Sequence, residues 1–113
     1  MNLEVNDKSI EANEHGYLLN LNDWDEDVAE AIASRDGYKL MVDHWELILY
    51  VREYYLEKQT CPTMHTIVQE LGPRNAKFHD RKSYEKHIYS LFPSDPCHEV
   101  CKLAGLPMPQ PDD

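Results

Sequence analysis

The apolar positions along the chain change their period after about twenty residues. Leu3-Glu4-Val5, Asn6-Asp7 and Ser9-Ile10-Glu11 read as two short strands around a tight turn. Asn13-Glu14-His15-Gly16 marks a second turn, and Tyr17-Leu18-Leu19 follows as a third strand. A three-strand meander needs a helical layer over one face. The helical period begins near Asn22 or Asp23, either of which can cap a helix whose first turn holds Asp25, Glu26 and Asp27 and whose inner side holds Val28, Ala31 and Ile32. Asp36-Gly37 ends it. The strongest helix is expected over Val42 to Lys58, with Trp45, Ile48, Leu49, Tyr55 and Leu56 as its buried stripe. Cys61-Pro62 breaks it, since Pro62 disfavours a helical Cys61.

A short helix then starts at Thr63 with Met64, Ile67, Val68 and Leu71 inward, and stops at Gly72-Pro73. Residues 74–82 are polar and read as a loop; Ser83 to Leu91 is the next helix, with Tyr84, Ile88 and Leu91 inward. The last helix begins near Asp95-Pro96, carries Val100 and Leu103, and ends at Gly105. Alternate prolines at 107, 109 and 111 favour an extended arm. The fold class is α+β: a small N-terminal antiparallel β-meander on about five helices, a helix-turn-helix-like pair (63–71 and 83–91), and a flexible Pro-rich C-terminal arm (104–113), all in one domain, 1–113. Trp24, Trp45, Tyr54, Tyr55 and Tyr89 are expected in the core.

With 113 residues there is room for one core and not two. No apolar run approaches the roughly 20 residues a membrane span needs, and the N-terminus lacks a secretory pattern. A cytosolic monomer with reduced thiols is expected, because three cysteines form no disulfide framework. The formal charge of −10 sits almost wholly in residues 1–60, with 14 acids against 5 bases. This acidity opposes nonspecific attraction to nucleic acid. Arg74, Lys77, Arg81, Lys82 and Lys86 form a local basic cluster, for which a solvated loop and helix face is favoured over DNA contact.

Six motifs give the chain a family resemblance. Gly16-Tyr17-Leu18, Asn22-Asp23-Trp24, His44-Trp45, Arg52-Glu53-Tyr54-Tyr55, Tyr89-Ser90-Leu91-Phe92-Pro93 and Cys101-Lys102-Leu103-Ala104-Gly105-Leu106-Pro107 occur in order along nearly the whole length. Together they resemble the DsrC/TusE family, the gamma subunit of dissimilatory sulfite reductase and its sulfur-relay relatives. The resemblance implies a sulfur carrier whose arm ends in a penultimate cysteine, in traffic with sulfurtransferases and sulfite reductase, with no cofactor. Cys101 matches the family's upstream arm cysteine, but Asp112 stands where the terminal cysteine would be. A carboxylate can neither hold a persulfide nor join a disulfide. His65 and Met108 replace residues that are basic in the family, and the segment from Arg74 to Lys82 departs from its Gly- and Lys-rich loop.

The residues left for sulfur chemistry are Cys101, the candidate sulfur acceptor, and Cys97, an auxiliary thiol. A reactive thiolate needs partial exposure and positive charge, and Lys102 adjoins Cys101. An unreactive helix thiol is the competing reading for Cys101. Cys97 would sit in the first turn of the last helix, where the dipole lowers a thiol pKa while Asp95 and Glu99 oppose it. Cys97 and Cys101 share a helix face, but Cβ atoms at i, i+4 lie about 5–6 Å apart, against about 3.8 Å for a disulfide, so two unlinked thiols are expected. Cys61 reads as an inert packing residue. A metal site from Cys97, His98, Cys101 and His79 or His87 has no second ligand pair, so no metal is expected. Three functions are weighed: a sulfur relay through Cys101, a regulatory or decoy paralogue that docks without carrying sulfur, and a DNA-binding regulator using residues 63–91.

Overall fold

The computed structural model describes residues 2–74, 80–93 and 95–107. Strands β1 (Asn2–Val5) and β2 (Lys8–Glu11) form an antiparallel hairpin with Leu3 opposite Ile10. Its turn residues Asn6 and Asp7 take φ of 51° and 67°, the left-handed region that Asn and Asp tolerate best after glycine. Leu3, Val5 and Ile10 are buried, and Asn6 Nδ2 donates to Asp27 Oδ2 at 2.6 Å.

The expected third strand is reduced to a single bridge between Ala12 and Leu18. The Asn13 side chain accepts from the N–H groups of His15 and Tyr17 and closes a tight loop there. Only Tyr17 and Leu18 turn inward, while Leu19 is exposed.

Helix α1 spans Glu26–Asp36 and is capped by Asp25, whose Oδ1 accepts from Val28 N–H at 2.8 Å. Asn22 and Asp23 instead lie in a 3-10 turn, Leu21–Asp23, capped by Asn20. Gly37 ends α1 in the left-handed region, as its position after Asp36 predicts.

Helix α2 spans Val42–Lys58, matching the expected span, but its buried stripe is rotated. His44, Leu47, Ile48 and Val51 face the core, whereas Leu49 and Leu56 are 50% and 54% exposed. The cause is His44: its Nδ1 accepts from Met41 N–H and its Nε2 reaches the Leu91 carbonyl, so a polar ring is satisfied inside. The ring also stands edge-on to Phe92 at 5.1 Å. Of the aromatics expected in the core, Trp24, Trp45 and Tyr55 pack half-buried against it, while Tyr54 is half-buried outside it and Tyr89 is 46% exposed.

Helices α3 (Met64–Leu71), α4 (Arg81–Leu91) and α5 (Pro96–Leu103) are capped by Thr63, Asp80 and Asp95. With Asp80 as its cap, α4 starts at Arg81, two residues before the expected Ser83. Ile67, Val68, Leu71, Tyr84, Ile88, Val100 and Leu103 are buried as their spacing predicts. Helix α5 packs against α1, α2 and α4, and α3 packs against α4. The first residues of the expected arm belong to the core, since Ala104 and Leu106 are fully buried. Met108 and Asp112 lie outside the described residues.

Candidate functional site at the C-terminal end of the last helix

The sequence motifs converge on α5. Its C-terminal end closes with Gly105 N–H donating to Lys102 O at 3.1 Å and Leu106 N–H to Cys101 O at 3.0 Å. This is a Schellman closure, with Gly105 at φ 73°. It accounts for Ala-Gly-Leu-Pro as a unit. Ala104 ends the helix, Gly105 takes the left-handed position, Leu106 is buried, and Pro107 prevents continuation.

Two further carbonyls at this end are satisfied from outside the helix. Trp24 Nε1 donates to Leu103 O at 2.7 Å and Arg52 Nη1 to Ala104 O at 2.8 Å. Arg52 Nη2 also donates to Leu21 O at 3.1 Å, and its guanidinium lies over the Trp24 ring, 4.3 Å from the centroid. Near the start of α5, Tyr17 Oη donates to His98 O at 3.3 Å.

Three thiols gather beneath this closure. Cys101, on the last turn of α5, is 1% exposed, and Cys61, at the corner between α2 and α3, is 8% exposed. Cys61 Sγ donates to Pro107 O at 3.9 Å, and Cys61 is the neighbour that acts most strongly on the Cys101 thiol. Cys97, on the first turn of α5, is half-buried, and its sulfur accepts from the N–H of Met64 at the start of α3.

The electrostatics hold Cys97 and Cys101 protonated. The hydrogen bond to Cys61, burial, and the charges of the neighbouring thiols and Asp95 push the Cys101 thiol far above its ordinary value. Burial and Asp95 raise Cys97, outweighing the bond from Met64. Lys102 gives no relief, since its ammonium is bound to Asp36 at 2.7 Å and Glu99 at 3.4 Å. Sequence spacing places Cys97 and Cys101 on one helix but carries no sign of Cys61, which only the packing of α5 against the α2–α3 corner brings alongside. Arg52 and Trp24 were visible as motif residues, though not as partners.

The remaining candidates lie apart. His65 is exposed. His87 pairs with Asp43 at 2.8 Å and His98 with Asp95 at 2.9 Å, while His79 lies outside the described residues. Among the described residues no group of three or more His, Cys, Asp or Glu side chains could hold a metal. Arg74, Arg81, Lys82 and Lys86 are exposed, and Lys77 lies outside the described residues. Arg74 also borders a cleft of about 280 Å³ shared with Tyr50, Glu53, Tyr54, Glu57, Lys58 and Glu70. This cleft contains no thiol. Among the described residues no helix is long and apolar enough to cross a membrane.

Comparison with known proteins agrees with the motifs. The family model described as "DsrC like protein" matches residues 4–111. Sulfurtransferase TusE of Salmonella typhimurium is 38% identical over 102 residues, covering 90% of this chain and 91% of the relative. Its Escherichia coli K12 counterpart is 37% identical over the same span. Allochromatium vinosum DsrC superposes with a TM-score of 0.83 at 39% identity, covering 96% of this chain and 95% of that one. The oxidized gamma subunit of the dissimilatory sulfite reductase from Archaeoglobus fulgidus gives 0.84 at 32% identity, with 97% of each chain covered. With a family match over nearly its whole length and these relatives at each level of comparison, the chain belongs to the DsrC-like family.

Proposed function

We propose that this chain is a cytosolic sulfur-relay protein that accepts sulfane sulfur on Cys101, with Cys97 as an auxiliary thiol, and hands it to partner proteins of sulfur traffic. The observation that carries the reading is the position of Cys101. It lies in the family's Cys-x-x-Ala-Gly-Leu-Pro closure, beside a second thiol, in a chain 38% identical to a sulfurtransferase over nine-tenths of its length.

Burial defines how such a carrier works. A protonated, enclosed thiol is a poor nucleophile and a protected store. Loading requires the 104–107 segment to lift, because Leu106 is bound to Cys101 and Pro107 to Cys61. Cys97, half-exposed, is the thiol a donor meets first. Delivery follows when a partner thiolate attacks the outer sulfur of the Cys101 persulfide, leaving Cys101 as a thiol. Because Asp112 stands where the family's terminal arm cysteine would be, the cargo is held at the base of the arm.

A second reading, a docking paralogue that carries no sulfur, draws on Asp112 and on the burial of Cys101. A sulfur balance separates the two. The chain is exposed to inorganic polysulfide, and sulfur recovered as protein adduct and as sulfide is counted. A carrier consumes about one sulfur atom per chain and the Cys101→Ser variant none. Equal uptake by both proteins, or uptake by neither, favours the docking paralogue.

A further inference from the structure

We propose that the outward face of α2 is a docking surface for an amphipathic helix of a partner protein, apolar on its inner side and lined with lysine or arginine along one edge. Among the described residues six large apolar side chains stand exposed, and four of them, Met41, Val42, Leu49 and Leu56, belong to α2 or its cap. Scattered apolar side chains need no explanation, but these fall on a line. Val42, Leu49 and Leu56 are seven positions apart, so they recur about every 10 Å along one side of the helix.

The stripe lies about 150° round α2 from the core side formed by His44, Leu47, Ile48 and Val51. Packing within this chain therefore leaves it open. One edge of it is acidic: Glu46, Glu53 and Glu57, all exposed, run alongside about 40–80° away. Glu53 and Glu57 continue into the cleft of about 280 Å³, where Glu70 and the rings of Tyr50 and Tyr54 join them. Carboxylates beside tyrosine rings suit the charged end of a long cationic side chain. Lys58 and Arg74 also border the cleft, two cations against three carboxylates. The other edge of the stripe is Trp45 and Arg52, and the Arg52 guanidinium is held by the Leu21 and Ala104 carbonyls and the Trp24 ring. A helix seated on the stripe therefore lies beside the closure of α5.

Charge selects the occupant. The chain carries −10 overall, with 14 acids against 5 bases in residues 1–60, which contain α2. A second copy, or an anionic membrane surface, brings like charge to the acidic edge. A basic amphipathic helix brings the opposite charge, and apolar side chains at the same repeat of seven supply its anchors. The surface contains no thiol, so it goes beyond sulfur acceptance at Cys101 and serves a carrier and a docking paralogue alike.

The full-length chain is titrated into two fluorescently labelled synthetic helices of the same 17-residue length as α2. Both carry leucines at a spacing of seven, flanked by lysines in one and by glutamates in the other. The lysine helix is expected to bind at least about tenfold more tightly at low salt, with the difference shrinking as salt rises. Leu49→Ser with Leu56→Ser should abolish that binding, and Glu53→Lys with Glu57→Lys should reverse the preference. All four side chains are exposed, and urea midpoints near the native value show that the variants are folded. Cys101→Ser should bind as the native chain does, which keeps this result apart from sulfur acceptance. Equal binding of the two helices, binding of neither, or unchanged binding in either double variant overturns the proposal. So does a concentration-dependent dimer in sedimentation that the leucine variant abolishes, since the stripe then pairs with a second copy.

Discussion

The indole N–H of Trp24 and the carbonyl of Leu103 meet at 2.7 Å, with the Arg52 guanidinium stacked on the other side of the link at 4.3 Å from the Trp24 ring. Through this contact an N-terminal residue closes the helix that carries two of the three cysteines. Trp24→Phe keeps a ring but leaves the half-buried carbonyl unpaired, at a cost of about 1–3 kcal/mol. Urea unfolding should show that loss, and labelling of Cys101 by a maleimide in native buffer should become several-fold faster as the closure loosens.

Arg52 satisfies two carbonyls from separate segments, Leu21 and Ala104. Arg52→Met removes both bonds and the cation–π contact, with an expected loss of about 2–3 kcal/mol. Arg52→Lys should recover only part of it, because an ammonium lacks the planar fork that reaches both oxygens. Equal midpoints for the Lys variant and the native chain in urea would contradict this.

Gly105 permits the closure. A Cβ built there would lie 2.5 Å from Trp24 Cδ1, and the residue sits at φ 73°. Gly105→Ala therefore combines left-handed strain with displacement of Trp24 and should cost at least about 2 kcal/mol. Thermal unfolding compared with Gly37→Ala, which has a similar φ but nothing within 4 Å of its Cβ, separates the two terms. The Gly105 variant should be the less stable.

How much of this was legible in the sequence differs from element to element. The span of α2 was, because Gln59, Thr60 and Cys61-Pro62 end a strong helical period. Its buried face was not. Reading only apolar side chains puts Leu49 and Leu56 inward, whereas tertiary hydrogen bonds make His44 a core residue and turn those leucines out. The cap of α1 was misplaced because Asn22, Asp23 and Asp25 all offer capping side chains, and only backbone geometry selects Asp25. Cys101 was legible through its motif. Its partnership with Cys61 was not, since nothing local to Cys61-Pro62 records what packs over it.

Alkaline pH should destabilise the chain. Folding raises the pKa of Cys97 and Cys101, chiefly through burial and the Cys61 contact, and burial raises Tyr17 and Tyr84. A raised folded-state pKa means that the folded chain holds its protons more tightly. The stabilisation is complete below the unfolded pKa and is lost as pH climbs above it. The loss therefore begins near the ordinary thiol range, about pH 8.5, and steepens near the ordinary tyrosine range, about pH 10. Urea midpoints measured from pH 7 upward should fall over that interval, and Cys101→Ala should flatten its first part.

The most direct test of sulfur carriage is to locate the added sulfur in the full-length chain and in its Cys61→Ser variant. After brief exposure to inorganic polysulfide, trapping of persulfides with an alkylating agent and peptide mass mapping, the extra sulfur should lie on Cys101, with at most a transient signal on Cys97. Sulfur confined to Cys97, or a Cys101 peptide recovered only as the unmodified thiol, would contradict the account.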